Sequence, residues 1–373
     1  MVHSSIDRPR LRDLGVTIGV LPTGALNAIT DVPEVSVGHT TVIHENGPAR
    51  TGVTAIHPHA GSVFTSMVPA AIDVLNGAGE MTGRAQIDEY GLLESPILIT
   101  NTLSVGTAHR ACVEWIGQRE PALGDTDFSI PVVAETYDGY LNDIGGQHVT
   151  VEHVLAALDS ASDGPVAEGN VGGGTGMRLF GFKGGIGTAS RVVEIGEARY
   201  TVGVLIQGNY GFCRDLLVDG VPVGREIGIT AEQDVGKDGS VIVVIATDAP
   251  LTDRQLRRLC RRGMLGLART GSTASHTSGD ILLAFSNAPE NRVDRFTDQP
   301  LLTMSCISES RINPFFSATI EATEEAVLNA LVAAETMTGR DGRTVEAISH
   351  DRLVKTVRRY NRLGNPGGDG TDR

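Results

Sequence analysis

Positive charge is in deficit: 31 Lys and Arg stand against 45 Asp and Glu, a formal net charge of −14. That balance lacks the basic footprint of a nucleic-acid binder, so no nucleic-acid partner is expected. Cysteine is scarce, and Cys112, Cys213, Cys260 and Cys306 lie far apart with no CxxC pair. Neither a disulfide framework nor a thiolate zinc site is suggested, leaving four reduced, mostly buried thiols as the expectation. No apolar run approaches the roughly 18 residues of a spanning helix, so no membrane partner is expected. Met1 to Gly19 carries charges at Asp7, Arg8, Arg10, Arg12 and Asp13 and no apolar h-region. A secretory signal is therefore not expected, and the chain reads as soluble and cytoplasmic. Aromatic residues supply only 4% of the chain, whereas glycine supplies 46 of 373 residues. That is about 12% against a usual level of roughly 7%, and much of the backbone must turn tightly or approach something closely.

At 40% hydrophobic and 20% charged residues there is ample material for a sizeable core. Short apolar runs bounded by Gly, Asn, Asp or Pro predict strands at Val53 to His57, Ile97 to Thr100, Ile130 to Ala134, Thr201 to Gln207, Val241 to Thr247 and Ile281 to Ser286. Helical spacing predicts a helix over Val151 to Ser160 behind Thr150, and Thr252 with Gln255 forms a capping box opening a helix toward Leu267. Further helices are expected from Glu324 to about Met337 and from Asp351 to Asn361, and the Gly-rich tail Gly364 to Arg373 reads as disordered. Strands and helices do not alternate regularly, which favours a layered α/β sandwich in one domain over a doubly wound sheet.

The glycine segments Asn170 to Met177 and Lys183 to Ser190 invite a phosphate-loop reading. Gly185-Ile-Gly187-Thr-Ala-Ser190 has Ser where a dinucleotide fingerprint wants its third glycine, a strand follows where a helix should, and no GxxxxGK[ST] occurs. Tight turns and close backbone packing are the better reading. An intermediate one has these glycines border a substrate cleft and donate N–H groups to it. Among the histidines, His57-Pro-His59 is the only tight pair; with no HExxH and no carboxylate at useful separation, these read as surface or cap residues.

Gly239-Ser240 stands between a polar stretch, Glu232 to Asp238, and the buried run Val241 to Ala246. A serine hydroxyl can attack the carbonyl of the preceding residue if the backbone bends into an unusual conformation, which glycine tolerates. After such a cut Ser240 would own a free α-amine with a reference pKa of about 7.7 to 8.0, suited to general-base work at neutral pH. A plain Gly-Ser turn is the alternative that this dipeptide alone favours.

The surrounding motifs are Asn27 to Val32, Val37 to Thr41, Arg50 to Thr54, Asn76 to Gly83, Ile99 to Thr102 with Ser104 to Gly106, Val132 to Gly139, Gly164 to Met177, Gln207 to Gly211, Ala268 to Gly271 and Ser278 to Asp280. Taken with Gly239-Ser240 they make the chain resemble, along nearly its whole length, the DmpA and β-aminopeptidase family of self-processing aminopeptidases. The resemblance implies a four-layer αββα sandwich related to Ntn hydrolases. It also implies cleavage between Gly239 and Ser240 into residues 1–239 and 240–373, a homotetramer of such pairs, and no metal or organic cofactor. Substrates would be short peptides, amino-acid amides or esters cut after the N-terminal residue.

By the same resemblance Ser240 is the nucleophile that forms an acyl-enzyme, and Asn209 stabilises the tetrahedral oxyanion with its amide. Ser278 and Asp280, two residues apart on a strand entry, share a face and would relay protons or hold the Ser240 amine. Glu135 would pair the substrate's protonated α-amine, and Tyr137, with Tyr140 as the competing tyrosine, would orient the scissile carbonyl or assist the oxyanion site. His276 is close enough in sequence for a supporting role. Without the resemblance these positions read as a strand-end turn, a polar strand entry and amphipathic packing. Competing functions are a non-peptide amidase like the nylon-oligomer hydrolases and an acyl transferase of the ornithine acetyltransferase type. Both are disfavoured by a serine where those groups carry threonine. An uncleaved small-molecule-binding protein on the same scaffold is the alternative of another class.

Overall fold

The structure is a computed structural model that describes residues 8–45, 47–228 and 239–363. The expected segment Glu232 to Asp238 and the tail from Gly364 lie outside the described residues. Nine strands carry the architecture: β1 Ser36–Ile43, β2 Arg50–His57, β3 Ser66–Gly77, β4 Ile97–Asn101, β5 Val132–Thr136, β6 Ile186–Ile195, β7 Ala198–Asn209, β8 Ser240–Thr247 and β9 Gly279–Ser286. A four-stranded sheet has the order β1-β2-β4-β5, and a larger one runs β3-β9-β8-β7-β6 with the short strand Val293–Asp294 beside β3. Within the larger sheet β8 and β9 are parallel while β7 and β8 are antiparallel, so that Ser240 lies opposite Gly279 on one side and Asn209 on the other.

The sheets stack face to face, and helices cover their outer faces. Ile56, Ile97, Ile99 and Ala134 of the small sheet meet Leu205, Ile242, Val244 and Leu283 of the large one in a buried middle layer. Outside the small sheet, α1 Val105–Gly117 and α2 Val151–Asp159 pack Ala111, Cys112, Val154 and Leu158 on Val53, Leu98 and Val133. Outside the large sheet, α3 Asp253–Arg269 and α4 Asn313–Ala333 pack Leu256, Leu259, Ala326 and Leu331 on Val204, Val243 and Leu282. These are the four layers αββα. The unbroken Val-Ile-Val-Val-Ile run of β8 follows from its place: alternate side chains enter two different cores, so neither face has a use for polarity.

The predicted strands all form, as do the helices behind Thr150 and Thr252, the latter with its Thr252/Gln255 capping box. The helix expected from Glu324 to Met337 instead spans Asn313–Ala333, and the last one, α5, runs His350–Arg359. Helix α4 is buried nearly all round, Thr319, Glu321, Thr323, Glu324, Glu325 and Asn329 included. With no solvent face it has no amphipathic period to read.

Glycine permits the close approach of α4. A Cβ on Gly187 of β6 would come within 2.0 Å of the Ala326 carbonyl oxygen. Gly185 has φ of +142°, a conformation that L side chains rarely adopt. At the same interface the Arg191 guanidinium is completely buried. It donates to Glu321 at 2.9 Å, to Glu325 at 2.6 Å and to the carbonyls of Ser190 and Ile18 at 2.7 Å each. Burial pushes the Glu325 carboxyl up, but hydrogen bonds and charge from Arg12, Arg191 and Asn27 outweigh it and hold the group below the usual range. Asn329 completes the seam, accepting from Leu11 N–H and donating to the Thr188 carbonyl.

None of the four cysteines forms a disulfide; Cys112, Cys213 and Cys260 are buried and Cys306 is exposed. Among the described residues no helix is long and apolar enough to cross a membrane.

Candidate active site

Ser240 is the first residue of β8, 4% exposed, and by alternation its side chain shares the inner face with Ile242. There it meets the small sheet. The main-chain N–H of Tyr137, just past β5, donates to Ser240 Oγ at 3.4 Å. Asn209, the strand partner of Ser240, points the same way, and its Nδ2 donates to the Tyr137 carbonyl at 2.8 Å. Asn209 Oδ1 accepts from the Arg178 N–H at 2.9 Å, which fixes which way round the amide lies. One N–H of Nδ2 is engaged by Tyr137, and its other N–H is directed by a locked amide. Gln207, two residues earlier on the same face, ties the sheets together by donating to the Thr100 carbonyl and the Thr136 hydroxyl.

Tyr137 therefore enters this site through its backbone. Tyr137 is 45% exposed, and the end of its side chain lies beside Gly139. The Tyr140 ring stacks under the Arg178 guanidinium at 3.9 Å.

Ser278 and Asp280 come together as expected: Ser278 Oγ donates to Asp280 Oδ1 at 2.6 Å. Alternation along β9 places them with Leu282 on the outer face, opposite to Ser240 Oγ. They flank Gly239 instead. A Cβ there would lie 3.2 Å from Ser278 Oγ and 3.1 Å from Tyr210 Cβ, and the Gly239 carbonyl accepts from the Gly279 N–H at 3.1 Å. The Gly239–Ser240 peptide is thus held between the inner face, which carries the hydroxyl of Ser240, and the outer face, which carries a hydroxyl and carboxylate pair. Burial pushes the Asp280 carboxyl up against the bond from Ser278, and its Oδ2 has no hydrogen-bond partner among the described residues. Asn76 secures this corner, donating from Nδ2 to the carbonyls of Ser275, His276 and Ser278. The His276 side chain is exposed and takes no part in these contacts.

Glu135 of β5 is 4% exposed, accepting from the Glu80 N–H at 3.0 Å and from the Thr102 hydroxyl. Gly79 brings this carboxylate close to β9: a Cβ at Gly79 would touch both Glu135 Oε1, at 3.0 Å, and Gly279 Cα, at 3.1 Å. Burial pushes the carboxyl up, opposed by those two donors.

The next carboxylate, Asp138, is fully buried and was not singled out by sequence; burial pushes it up to about 7 against the Thr51 hydroxyl and Asn142 amide. Protonation of a native carboxyl above its unfolded range means that the folded chain binds more protons between pH of about 4 and 7. The contribution of Asp138 to stability accordingly falls as pH rises through that window and is level above it. The difference in thermal midpoint between the wild type and Asp138→Asn, taken across the window, should show this slope. Glu324, also pushed up to about 7 by burial, adds a slope of the same sign in both proteins, and His39, pulled down to about 4 by burial, one of the opposite sign.

The glycine segments do not face the cleft as donors. Gly172 and Gly173 N–H groups go to the Thr41 and Thr54 hydroxyls, Gly174 N–H to the Val171 carbonyl and Gly184 N–H to the Met177 carbonyl. Close packing is their role, and the cleft-donor and phosphate readings fall for these positions. The His57 and His59 rings likewise bond the carbonyls of Leu158 and Ser66, and His59, expected as a surface or cap residue, is buried and accepts from the Gly61 N–H. They line a cavity of about 350 Å³ with Phe64, Trp115 and Arg119, none of which belongs to the Ser240 site.

The model of peptidase family S58 matches residues 27–345. The β-peptidyl aminopeptidase BapA of Sphingosinicella xenopeptidilytica is 47% identical over 374 residues, covering 95% of this chain and 92% of its own. Among solved structures, the L-aminopeptidase D-Ala-esterase/amidase of Ochrobactrum anthropi superposes with a TM-score of 0.91 at 44% identity, over 96% of this chain and 100% of that one. It is described as a prototype for the serine aminopeptidases and a variant of the Ntn hydrolase fold. A β-aminopeptidase of Burkholderia sp. gives a TM-score of 0.87 at 46% identity, again over 96% and 100% of the two chains.

Proposed function

The chain belongs to peptidase family S58, and from that premise we propose that it is an aminopeptidase and amidase that generates its own nucleophile by cutting itself between Gly239 and Ser240. The observation that carries this is the position of Ser240: it opens a central strand with its hydroxyl on the inner face, beside a locked asparagine amide and a backbone N–H.

In the uncut chain Ser240 Oγ attacks the Gly239 carbonyl carbon, and the charge that develops on its oxygen faces the Gly279 N–H. The C–N bond breaks, its nitrogen takes the hydroxyl proton, and water hydrolyses the resulting ester to leave a Gly239 carboxylate and a free Ser240 amine. That amine is then the general base for its own hydroxyl. Ser278 and Asp280, on the opposite face of the strand, hold the amine, and the unpartnered Asp280 Oδ2 supplies the anionic acceptor that a new ammonium needs.

In turnover Ser240 Oγ attacks the substrate carbonyl, while Asn209 Nδ2 and the Tyr137 N–H receive the oxyanion. The protonated amine gives its proton to the departing amine, and water releases the acyl group. Glu135, held by Thr102 and the Glu80 N–H, pairs the substrate's α-ammonium, which confines cleavage to N-termini. Short peptides, amino-acid amides and esters fit these requirements. Cleaved pairs assembling as a tetramer are part of the same proposal, supported by the exposed Leu301, Leu302 and Met304. Four cysteines that form no disulfide favour a reducing, cytoplasmic compartment.

The test is intact mass of the denatured protein together with hydrolysis of an amino-acyl anilide and its N-acetyl derivative. Two fragments meeting at Gly239/Ser240, with turnover of the free-amine substrate alone, are expected. An uncut chain that turns over neither substrate would sink the reading. Glu135→Gln should mature normally and lower kcat/KM for the free-amine substrate about 10- to 100-fold, the worth of a charged hydrogen bond, without improving the acetylated one.

A further inference from the structure

Lys183 is completely buried, yet its ammonium has no carboxylate among its hydrogen-bond partners. Nζ donates instead to three carbonyls, those of Gly184 at 2.7 Å, Met177 at 2.8 Å and Gly174 at 3.3 Å. One of these matters beyond packing. The Met177 carbonyl and the Arg178 N–H are the two ends of a single peptide group, and that N–H is the donor to Asn209 Oδ1. Lys183 also pairs with Arg178 through the backbone of the small hairpin Arg178–Leu179/Phe182–Lys183, so the ammonium and the peptide it grips are held in one rigid turn.

We propose that Lys183 is a positioning residue of the oxyanion site, acting on Asn209 through the Met177–Arg178 peptide. The proposal rests on the reading of Asn209 as an oxyanion donor. A cation on the carbonyl end of a peptide draws electron density toward oxygen and makes its N–H a stronger donor. That N–H in turn draws density toward Asn209 Oδ1, which strengthens Nδ2–H toward the cleft. The same contacts fix the amide's orientation, because a flip would set Nδ2 against the Arg178 N–H and Oδ1 against the Tyr137 carbonyl. Burial pulls the Lys183 amine down to about 7, while three carbonyl dipoles favour the ammonium. A methionine would fill the same space but leave those carbonyls without this donor.

The experiment compares Lys183→Met and Lys183→Gln, each alone and combined with Asn209→Ala, in full-length matured protein at neutral pH. Rates are expressed per cut chain, with cutting followed by mass. Lys183→Met should lower kcat about 10-fold or more with KM changed less than about twofold. Lys183→Gln, which keeps amide donors without charge, should fall between it and the wild type. In the Asn209→Ala background either substitution should change kcat less than about twofold, since the group it positions is gone. Wild-type kcat in Lys183→Met, or losses that multiply in the double variants as a merely structural role predicts, would overturn the proposal. Full activity of Asn209→Ala alone would instead overturn the oxyanion reading on which it rests. If neither variant folds, the Arg178 amide proton of the wild-type protein decides by NMR: a pronounced downfield shift is expected, and an ordinary one refutes the polarised peptide.

Discussion

Substituting Ser240 by alanine should leave one chain of 39.3 kDa with amino-acyl amide hydrolysis reduced about 10⁴-fold or more, the scale seen when a covalent nucleophile is removed. Two functions disappear with one oxygen. Without Oγ nothing attacks the Gly239 carbonyl, so no free amine is made, and without the amine there is neither base nor nucleophile for substrate. The alanine is otherwise a mild change: β8 keeps its pairing with Asn209 on one side and Gly279 on the other, and the Tyr137 N–H gives up a long hydrogen bond of 3.4 Å. Circular dichroism and the thermal midpoint should therefore stay close to those of a folded uncut chain, separating loss of chemistry from loss of structure. Fragments still meeting at residue 240 in this variant, or turnover within tenfold of the wild type, would be incompatible with the mechanism.

Arg191→Met should destabilise the chain by about 3 to 5 kcal/mol, the usual cost of stripping one partner from a buried ion pair. Both Glu321 and Glu325 lose a guanidinium donor, and the Ser190 and Ile18 carbonyls lose theirs. Glu325 keeps Arg12 and Asn27, and Glu321 keeps the Val20 and Leu21 N–H groups, so the penalty sits toward the lower end of that range. Denaturant unfolding of the uncut Ser240→Ala chain measures this cleanly, as a unimolecular transition. Adding Glu321→Gln and Glu325→Gln should return part of the loss, because the charges left uncompensated are then gone. The penalty should also shrink at acid pH as the Glu325 carboxyl, held low in part by Arg191, is protonated. A triple variant no more stable than Arg191→Met would place the effect in packing and not in charge.

What could be read from the chain beforehand, and what could not, divides along the reach of local pattern. The β8 run was legible because burial on both faces admits only apolar residues, and Thr252 with Gln255 announced α3 because a capping box is a local bond. Helix α4 was misplaced for the opposite reason: wedged between β6 and α3, it buries Glu321, Glu325 and Asn329 against partners from remote segments, and its polar residues mimic a surface that is not there. The site shows the same division. Ser240, Asn209, Ser278, Asp280 and Glu135 were named through the family resemblance, and the structure gathers their side chains around the start of β8 and β9. The Tyr137 N–H and carbonyl were not legible, since any residue has them, nor was Lys183, whose partners are all backbone. That Ser278 and Asp280 flank the peptide from behind was hidden too, because alternation fixes only their shared face, and the parallel pairing of Ser240 with Gly279 fixes which face that is.

The order of the large sheet has a consequence for reversibility. Strands β8 and β9 lie between β3 and β7, so strands from after the cut are paired on both sides with strands from before it. While the chain is continuous, every denatured molecule carries all the strands it needs, and the search for them is unimolecular. Once Gly239 and Ser240 are parted, the same sheet can be rebuilt only by two molecules meeting, each exposing an unpaired strand edge. The proposed cut thus works as a ratchet: a precursor unfolded in dilute solution finds its way back, whereas the matured enzyme, held together while folded, is lost to dilution or aggregation once it opens.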